Sequence, residues 1–323
     1  MKKILLEAPI LTQSGYGEHS RLVFRSLIKR EDVDLYISPL NWGTTSWAAV
    51  YDSERTKIDE CVRKFQTYIG QAKAQQSQVH FDLHLHVGIL SEFEAKAPKA
   101  ISITAGIETD RVSADWLIRT HKGLNKIIVP SEHAKNGFLT TSYQAINEQN
   151  NTKTIIECAT PVDVVPYPVK TFEDCNLDLN LKTKFNFLSV AMLGPRKNFS
   201  SMIKWFVEEF RKDDVGLILK TSQSTGSNMD KVATRNVLNS VLNKVDYHND
   251  ETKCKVYLLH GDLTEQEIHS LYSRQDIHAY LTTTHGEGYG LPIFEAAYNG
   301  MPVVATDWSG HLDFLKGPYK ESG

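Results

Sequence analysis

Disulfide chemistry has almost no material to work with in this chain. Its four cysteines, Cys61, Cys158, Cys175 and Cys254, are far apart and form no Cys-x-x-Cys pair. Free thiols in a reducing compartment, the cytoplasm, are the expected state. No apolar run approaches the length of a membrane span. The N-terminal run Met1-Lys2-Lys3-Ile4-Leu5-Leu6 is broken by Glu7 and is too short for a signal peptide. Charge of neither sign dominates: 36 Lys+Arg stand against 39 Asp+Glu, a net charge of −3. The balance is 19 against 19 over residues 1–165 and 17 against 20 over 166–323, so neither half is a basic nucleic-acid domain. Internal repeats and low-complexity segments are absent. What remains is an ordinary globular composition, 41% hydrophobic and 23% charged. At 323 residues the chain is long for a single core, and two domains are expected.

Short apolar runs alternate with helical patterns, the rhythm of doubly wound α/β domains. In the first half the pattern predicts strands at Lys3–Glu7, Val33–Ile37, Val79–Val87, Ala100–Ile103, Lys126–Val129 and Val162–Val165, with helices over Glu18–Lys29 and Thr56–Lys73. In the second half it predicts strands at Asn186–Ala191, Gly216–Lys220, Lys255–Leu259, Ile277–Leu281 and Val303–Thr306. Phe199, Met202, Ile203, Phe206, Val207 and Phe210 recur at helical spacing as one apolar stripe. The polar segment Thr171–Lys184, after Pro166-Tyr167-Pro168, reads as a linker. The expected architecture is two Rossmann-like domains, residues 1–169 and 170–323, facing each other across a cleft. Ligands in such folds bind beyond the carboxyl ends of the strands, so the loops there carry the functional candidates.

The most informative loop is Thr284-His285-Gly286-Glu287-Gly288-Tyr289-Gly290-Leu291-Pro292-Ile293-Phe294-Glu295. Gly288 and Gly290 allow a tight turn and a close backbone approach to a ligand. Pro292 suits the first turn of a helix starting near Leu291, whose free N–H groups and dipole favour a phosphate. Glu287 then lies before the phosphate site and Glu295 about one turn beyond it. Two carboxylates so placed can grip hydroxyl groups on either side of a diphosphate, one holding a sugar and the other a ribose. The stretch Glu295-Ala296-Ala297-Tyr298-Asn299-Gly300-Met301-Pro302-Val303-Val304-Ala305-Thr306 continues with a helix stop and a short buried strand.

Glu-x7-Glu followed by this stretch resembles the donor-binding signature of retaining GT-B glycosyltransferases, above all glycosyltransferase family 4. The resemblance is strongest over residues 256–313, fair over 186–221 and looser in the N-terminal half. It implies donor contacts by Glu287, Gly288, Tyr289, Gly290, Leu291 and Glu295. In Met192-Leu193-Gly194-Pro195-Arg196-Lys197-Asn198, Lys197 matches a family lysine, whereas Met192 stands where the family has an arginine. Arg196 or Lys220 is expected to supply the missing cation; Lys220 ends a buried strand and so points toward the ligand cleft. His260-Gly261-Asp262-Leu263 matches a loop that lines the nucleotide base in family members, with backbone contact at Leu263.

The N-terminal half offers Gly15 and Gly17 in the loop after the first strand, a backbone cradle for donor phosphate or acceptor. The alternative is a helix-starting turn with no ligand. The loop lacks the full Gly-x-Gly-x-x-Gly pattern and does not read as an NAD site. Gly106-Ile107-Glu108 occupies a region where the wider family carries a histidine, making Glu108 a candidate polar group near the reacting carbon or the acceptor hydroxyl. The alternative is a salt bridge of Glu108 with Arg111. His80, Asp82, His84 and His86 alternate along a predicted strand and would share one face. Residues two apart on one strand cannot all converge on one ion, so no metal is expected there, and a buried hydrogen-bonded row or a cleft role for His84 or His86 is the reading. Asp32-Val33-Asp34 matches the Asp-x-Asp of metal-dependent GT-A enzymes only superficially and reads as strand entry.

The resemblance implies a hexosyltransferase-like, metal-independent enzyme of retaining stereochemistry, with no cofactor beyond its nucleotide-diphosphate sugar substrate. The acceptor would be a glycan, a lipid-linked or another hydroxyl compound. Glu287, Lys197, Lys220 and Glu108 are the candidate catalytic residues, and Gly15, Gly17 and Arg196 join the donor-binding set. Other readings are a GT-B epimerase or phosphorylase, a non-catalytic sugar-nucleotide-binding protein, and a viral or nucleic-acid-modifying glycosyltransferase. Family members continue well past the region of Gly310-His311-Leu312-Asp313-Phe314 into a helix crossing back to the first domain, so a truncated or short variant without that helix is expected.

Overall fold

The computed structural model describes residues 1–43, 45–146 and 152–317. The chain divides into two compact units, Met1–Pro168 and Val169–Gly323. In unit 1, β1 (Lys2–Ala8), β2 (Val33–Pro39), β3 (Leu83–Val87), β4 (Ala100–Ile103) and β5 (Lys126–Val129) join β8 (Val162–Val164) in one parallel sheet, after an antiparallel pair β6 (Tyr143–Ile146) and β7 (Lys153–Ile156). The spatial order is β2-β1-β3-β4-β5-β8. Helices α1 (Gly15–Leu27), α2 (Ser53–Ala74), α3 (Ala114–Thr120) and α4 (Glu132–Thr140) connect the strands. One core packs Ile4, Leu6, Ile37, Leu85 and Val87 of the strands against Phe24, Ile58 and Cys61 of α1 and α2. Alternation along each strand sends those residues to one face and Leu5, Tyr36, His84 and His86 to the other.

Unit 2 holds β9 (Phe185–Val190), α5 (Phe199–Phe210), β10 (Val215–Lys220), α6 (Asn228–Lys244), β11 (Lys255–Leu259), α7 (Glu265–Ser273), β12 (Ala279–Leu281), α8 (Leu291–Tyr298), β13 (Val303–Val304) and α9 (Leu312–Leu315). Its sheet is parallel, ordered β11-β10-β9-β12-β13. The α5 stripe buries Phe199, Met202, Ile203, Phe206 and Val207 against Leu217 and Leu219 of β10, as its 3.6-residue spacing requires.

Two expectations are corrected. The segment read as a linker, Thr171–Lys184, is a strap on unit 2: Leu177, Leu179 and Leu181 pack against that unit's core. The Cys175 N–H donates to Ser270 Oγ at 2.8 Å, and Lys170 pairs with Glu265 at 2.8 Å. The third strand starts at Leu83 rather than Val79. His80 and Asp82 therefore lie outside it and are exposed, while His84 and His86 are fully buried. Among the described residues, no three His, Cys, Asp or Glu side chains cluster as metal ligands would. Asp32 pairs with Arg30 and Asp34 with Lys64. Also among the described residues, no helix is long and apolar enough to cross a membrane. The four cysteines are unbridged.

Candidate active site

Each sheet has one point where the chain reverses its direction of winding, and there the loops from neighbouring strands diverge to leave a crevice. In unit 2 this point lies between β9 and β12. The loop after β9 carries Arg196 and Lys197, and the loop after β12 carries Glu287. The two loops are stitched together. His285 N–H donates to the Arg196 carbonyl at 2.8 Å, Arg196 Nη1 donates to the Gly286 carbonyl at 2.7 Å, and Asn198 Nδ2 donates to the Thr283 carbonyl at 3.3 Å. Asn198 takes the left-handed conformation (φ 54°) that lets the chain turn from the loop into α5.

Glu287 is buried and gripped by both cations. Its Oε2 lies 2.9 Å from Arg196 Nη1, and its Oε1 accepts from Lys197 Nζ. Burial pushes the Glu287 carboxyl up, but the charges of Lys197 and Arg196 and their hydrogen bonds outweigh it and hold the group below its ordinary value. The carboxylate thus stays ionised in a site where an unpaired charge would be costly. Glu287 does not cap α8: the N-cap is Gly290, in the left-handed region at φ 89°, and no side chain caps the helix. The loop is instead held from behind. Ser309 Oγ accepts the Glu287 N–H at 2.9 Å, and Gly310 N–H donates to the Glu287 carbonyl at 2.9 Å. A Cβ on Gly310 would fall 2.2 Å from the Gly288 carbonyl oxygen, so only glycine fits. His311, fully buried, reaches Ser309 Oγ at 3.2 Å and the Thr306 carbonyl at 2.8 Å. The Ser309-Gly310-His311 backing was missed in the sequence, since nothing in its spacing marks which loop it supports.

The other candidates of unit 2 fall along the same strand ends. Gly288 and Gly290 lie in the buried turn between the glutamates, and Leu291 opens α8, an eight-residue helix with Pro292 in its first turn. The Tyr289 ring packs on Phe294 and Phe314, with centroids 5.3 and 5.1 Å away, so it belongs to the core. Burial, then the charge of Asp313, pushes its hydroxyl up to about 12. Glu295, half-buried on α8, accepts from Tyr272 Oη at 3.2 Å. Lys220 ends β10, and its Nζ donates to the Gly261 carbonyl at 2.6 Å, joining the strand end to the His260–Leu263 loop. Burial pulls the Lys220 ammonium down, partly offset by Asp262. Leu263 packs against the core beneath. Met192 is exposed, while Arg196 occupies the position beside Glu287.

In unit 1, Gly15, Gly17 and Glu108 belong to a second set of strand-end loops. Gly15 opens α1, and Ser14 caps it by accepting the Gly17 N–H at 3.0 Å. The two glycines differ: a Cβ on Gly15 would meet nothing within 4 Å, whereas one on Gly17 would lie 2.0 Å from the Thr12 carbonyl oxygen. Tyr16, between them, bridges to the loop after β4. Its hydroxyl accepts the N–H groups of Ala105 (3.2 Å) and Gly106 (2.7 Å) and bonds Thr104 Oγ1 (2.8 Å). Glu108 lies close enough for its charge to act on that hydroxyl. The buried Glu7 at the end of β1 pairs with Lys96, and His84 Nε2 lies 3.2 Å from Glu7 Oε2. His86 reaches Ser102 Oγ at 3.3 Å.

Comparison with known proteins shows what the chain is similar to. Residues 245–318 match the family "Glycosyl transferases group 1". Over 123 residues, 38% of this chain, the sequence is 29% identical to the serotype-specific mannosyltransferase WbdA of Escherichia coli, and that stretch spans only 13% of the mannosyltransferase's length. Among solved structures, trehalose-6-phosphate from E. coli bound with UDP-2-fluoro glucose superposes with a TM-score of 0.58 at 10% identity, covering 97% of this chain and 86% of that one. Anabaena HepE in complex with UDP and glucose gives 0.58 at 14% identity, covering 97% and 83%. The lipopolysaccharide outer core galactosyltransferase WaaB gives 0.53 at 14%, covering 96% and 82%. The fold is the GT-B fold, and residues 245–318, in the C-terminal unit, are similar to the group 1 glycosyltransferases.

Proposed function

We propose that this chain is a retaining glycosyltransferase that moves a sugar from a nucleoside-diphosphate sugar to a hydroxyl acceptor without a divalent metal. The observation that carries the reading is the Glu287 carboxylate held by Arg196 and Lys197 at the switch point of the unit 2 sheet, beside the start of α8. A diphosphate entering there would compete with Glu287 for both cations and take the free N–H groups of the helix start. Glu287, released from one partner, would then accept from sugar hydroxyls, and Glu295 from the ribose.

The reaction breaks the bond between the anomeric carbon and the β-phosphate oxygen and forms one to the acceptor oxygen on the same face. The acceptor proton passes to the departing phosphate. Negative charge grows on that phosphate, and fixed cations aimed at it lower the barrier without reorganising. Lys220 and Glu108 complete the catalytic set in this reading, and the Gly15–Gly17 turn is a backbone cradle for the donor phosphate or the acceptor. The acceptor is a glycan, a lipid-linked or another hydroxyl compound, and the reaction is placed in the cytoplasm. Similarity to the UDP-bound structures supports testing UDP sugars first, and similarity to the mannosyltransferase supports including activated mannose.

Thermal melts with UDP, GDP, ADP and their sugars, in EDTA and then with manganese or magnesium, test the reading. One nucleotide should raise the midpoint in EDTA, because a ligand that binds only the folded state stabilises it. A response that appears only with added metal would remove metal independence; no response to any nucleotide would remove the reading.

A further inference from the structure

Asp230 stands in the first turn of α6, 7% exposed, and none of the candidate donor contacts involves it. Its carboxylate is nonetheless where three elements meet. Oδ2 accepts the backbone N–H groups of Ser224 (2.7 Å) and Thr225 (3.0 Å) and the Ser224 hydroxyl (3.0 Å). Oδ1 accepts the Gln223 N–H (3.1 Å), the Thr234 hydroxyl (3.0 Å) and His260 Nε2 (2.8 Å). The first contacts gather the loop that follows Lys220. The last reaches across to the loop after β11. A carboxylate this enclosed accepts only, so the His260 proton sits on Nε2 and the ring orientation is fixed.

Two further contacts lock the same loops. A Cβ on Gly226 would lie 2.4 Å from Asp262 Oδ2 and 3.1 Å from its backbone nitrogen, so the two loops touch there and any larger residue must push the Asp262 carboxylate aside and crowd its backbone. Lys220 Nζ holds the Gly261 carbonyl at 2.6 Å. Residues 260–262 are therefore fixed from one side by Asp230 and Gly226 and from beneath by Lys220.

We infer that Asp230, acting through His260, is a positioning residue for nucleotide recognition: it sets the height and direction of the His260–Leu263 backbone that meets the base. It touches neither phosphate nor sugar. The inference rests on the proposed donor site and on the resemblance of His260–Leu263 to a loop that lines the nucleotide base. Loss of Asp230 should weaken binding of the nucleoside part and leave the chemical step nearly untouched.

The experiment is calorimetric titration of the full chain with UDP, GDP and ADP, followed by donor kinetics with whichever nucleotide binds, for wild type, Asp230→Asn, His260→Ala, His260→Gln and Gly226→Ala. Asp230→Asn, His260→Ala and Gly226→Ala should each weaken binding of that nucleotide about tenfold and raise the donor KM in parallel, with kcat changed less than about threefold. His260→Gln keeps an N–H donor within reach of Asp230 and should restore most of the affinity. Should Asp230→Asn fail to fold, His260→Ala and Gly226→Ala carry the test. Wild-type binding that all three variants retain, whatever happens to their melting midpoints, would overturn the positioning role and leave the donor site standing. Weakening that appears in kcat rather than KM would also overturn it. A wild type that binds none of the three nucleotides removes the donor site and this inference with it.

Discussion

Glu287 and Arg196, on loops from two different strands, meet at 2.9 Å where the sheet of unit 2 reverses its winding. In the proposed donor site this pair stands in for the arginine that Met192 replaces. Arg196 lies past Gly194-Pro195 in the same loop, and its Nη1 is held by both the Gly286 carbonyl and the Glu287 carboxylate. A guanidinium so held is preorganised for bidentate contact with phosphate.

Removing the Glu287 carboxylate should separate sugar handling from nucleotide binding. In Glu287→Gln the charges of Arg196 and Lys197 lose their internal counterion, so affinity for the bare nucleoside diphosphate should hold or rise. Turnover of the sugar donor should fall by at least about tenfold, in kcat as well as KM. Because Glu287 does not cap α8, the variant should not lose the ~1 kcal/mol of a missing cap. Weaker binding of the bare diphosphate with normal kcat at saturating donor would contradict the assignment.

The internal bond of Glu295 to Tyr272 has to be distinguished from its proposed contact with ribose. Glu295→Ala should reduce nucleotide affinity roughly 10–100-fold, the worth of a charged hydrogen bond to ribose hydroxyls. It also leaves the buried Tyr272 hydroxyl without this acceptor, which costs about 1–3 kcal/mol of stability. Tyr272→Phe removes the internal bond and keeps the carboxylate, so it should bind nucleotide normally. Equal loss of affinity in both variants would show that Glu295 acts by supporting Tyr272.

The two glycines of the first loop should respond differently to the same methyl group. Gly17→Ala drives a Cβ into the Thr12 carbonyl and should cost about 1–3 kcal/mol or more, read from the denaturation midpoint. Gly15→Ala meets open space and should change stability by less than about 0.5 kcal/mol. A loss of turnover in Gly15→Ala at unchanged stability would mark Gly15 as a point of close ligand approach. Unchanged turnover would reduce the loop to a helix start.

Acid should weaken the protein in two windows. Burial holds His19 and His86 down to about 4, with Glu18 opposing the shift at His19 and Glu7 opposing it at His86. The unfolded chain binds those protons near pH 6.5 and the folded chain only near 4, so stability falls as pH drops between the two. Glu7 acts lower. Burial raises its pKa, but bonds from His84 and Lys96 outweigh it and bring it to about 2. Its contribution, about 3 kcal/mol, is present above pH ~4.5 and fades toward pH 2. Urea midpoints at pH 7 and pH 4.5 should differ less in His86→Leu than in wild type, and an identical difference would refute the His86 assignment.

The legible parts of the sequence were those set by local rules. Strand and helix periodicity placed the central strands and the α5 stripe, because burial of one face imposes its period on the chain whatever lies across the core. Gly288, Gly290 and Pro292 marked a loop entering a helix because their backbone chemistry suits few other places. Local pattern failed where the partner was distant. It made a linker of Thr171–Lys184, where Leu177, Leu179 and Leu181 alternate with polar residues, because nothing in that short stretch announces the distant core they cover. It extended the third strand back to Val79, where alternation continued without a neighbouring strand to pair with.

What the sequence by itself determined, then, was an α/β chain whose second half carries a glycine turn flanked by two carboxylates, since spacing along one segment is enough to specify that. Tertiary structure alone decided which cations meet which carboxylate. Arg196 and Lys197 reach Glu287 only because β9 and β12 are neighbours in the sheet, and His260 reaches Asp230 only because β10 lies beside β11. Those pairings follow from strand order, a property of the whole sheet that no single stretch of the chain contains.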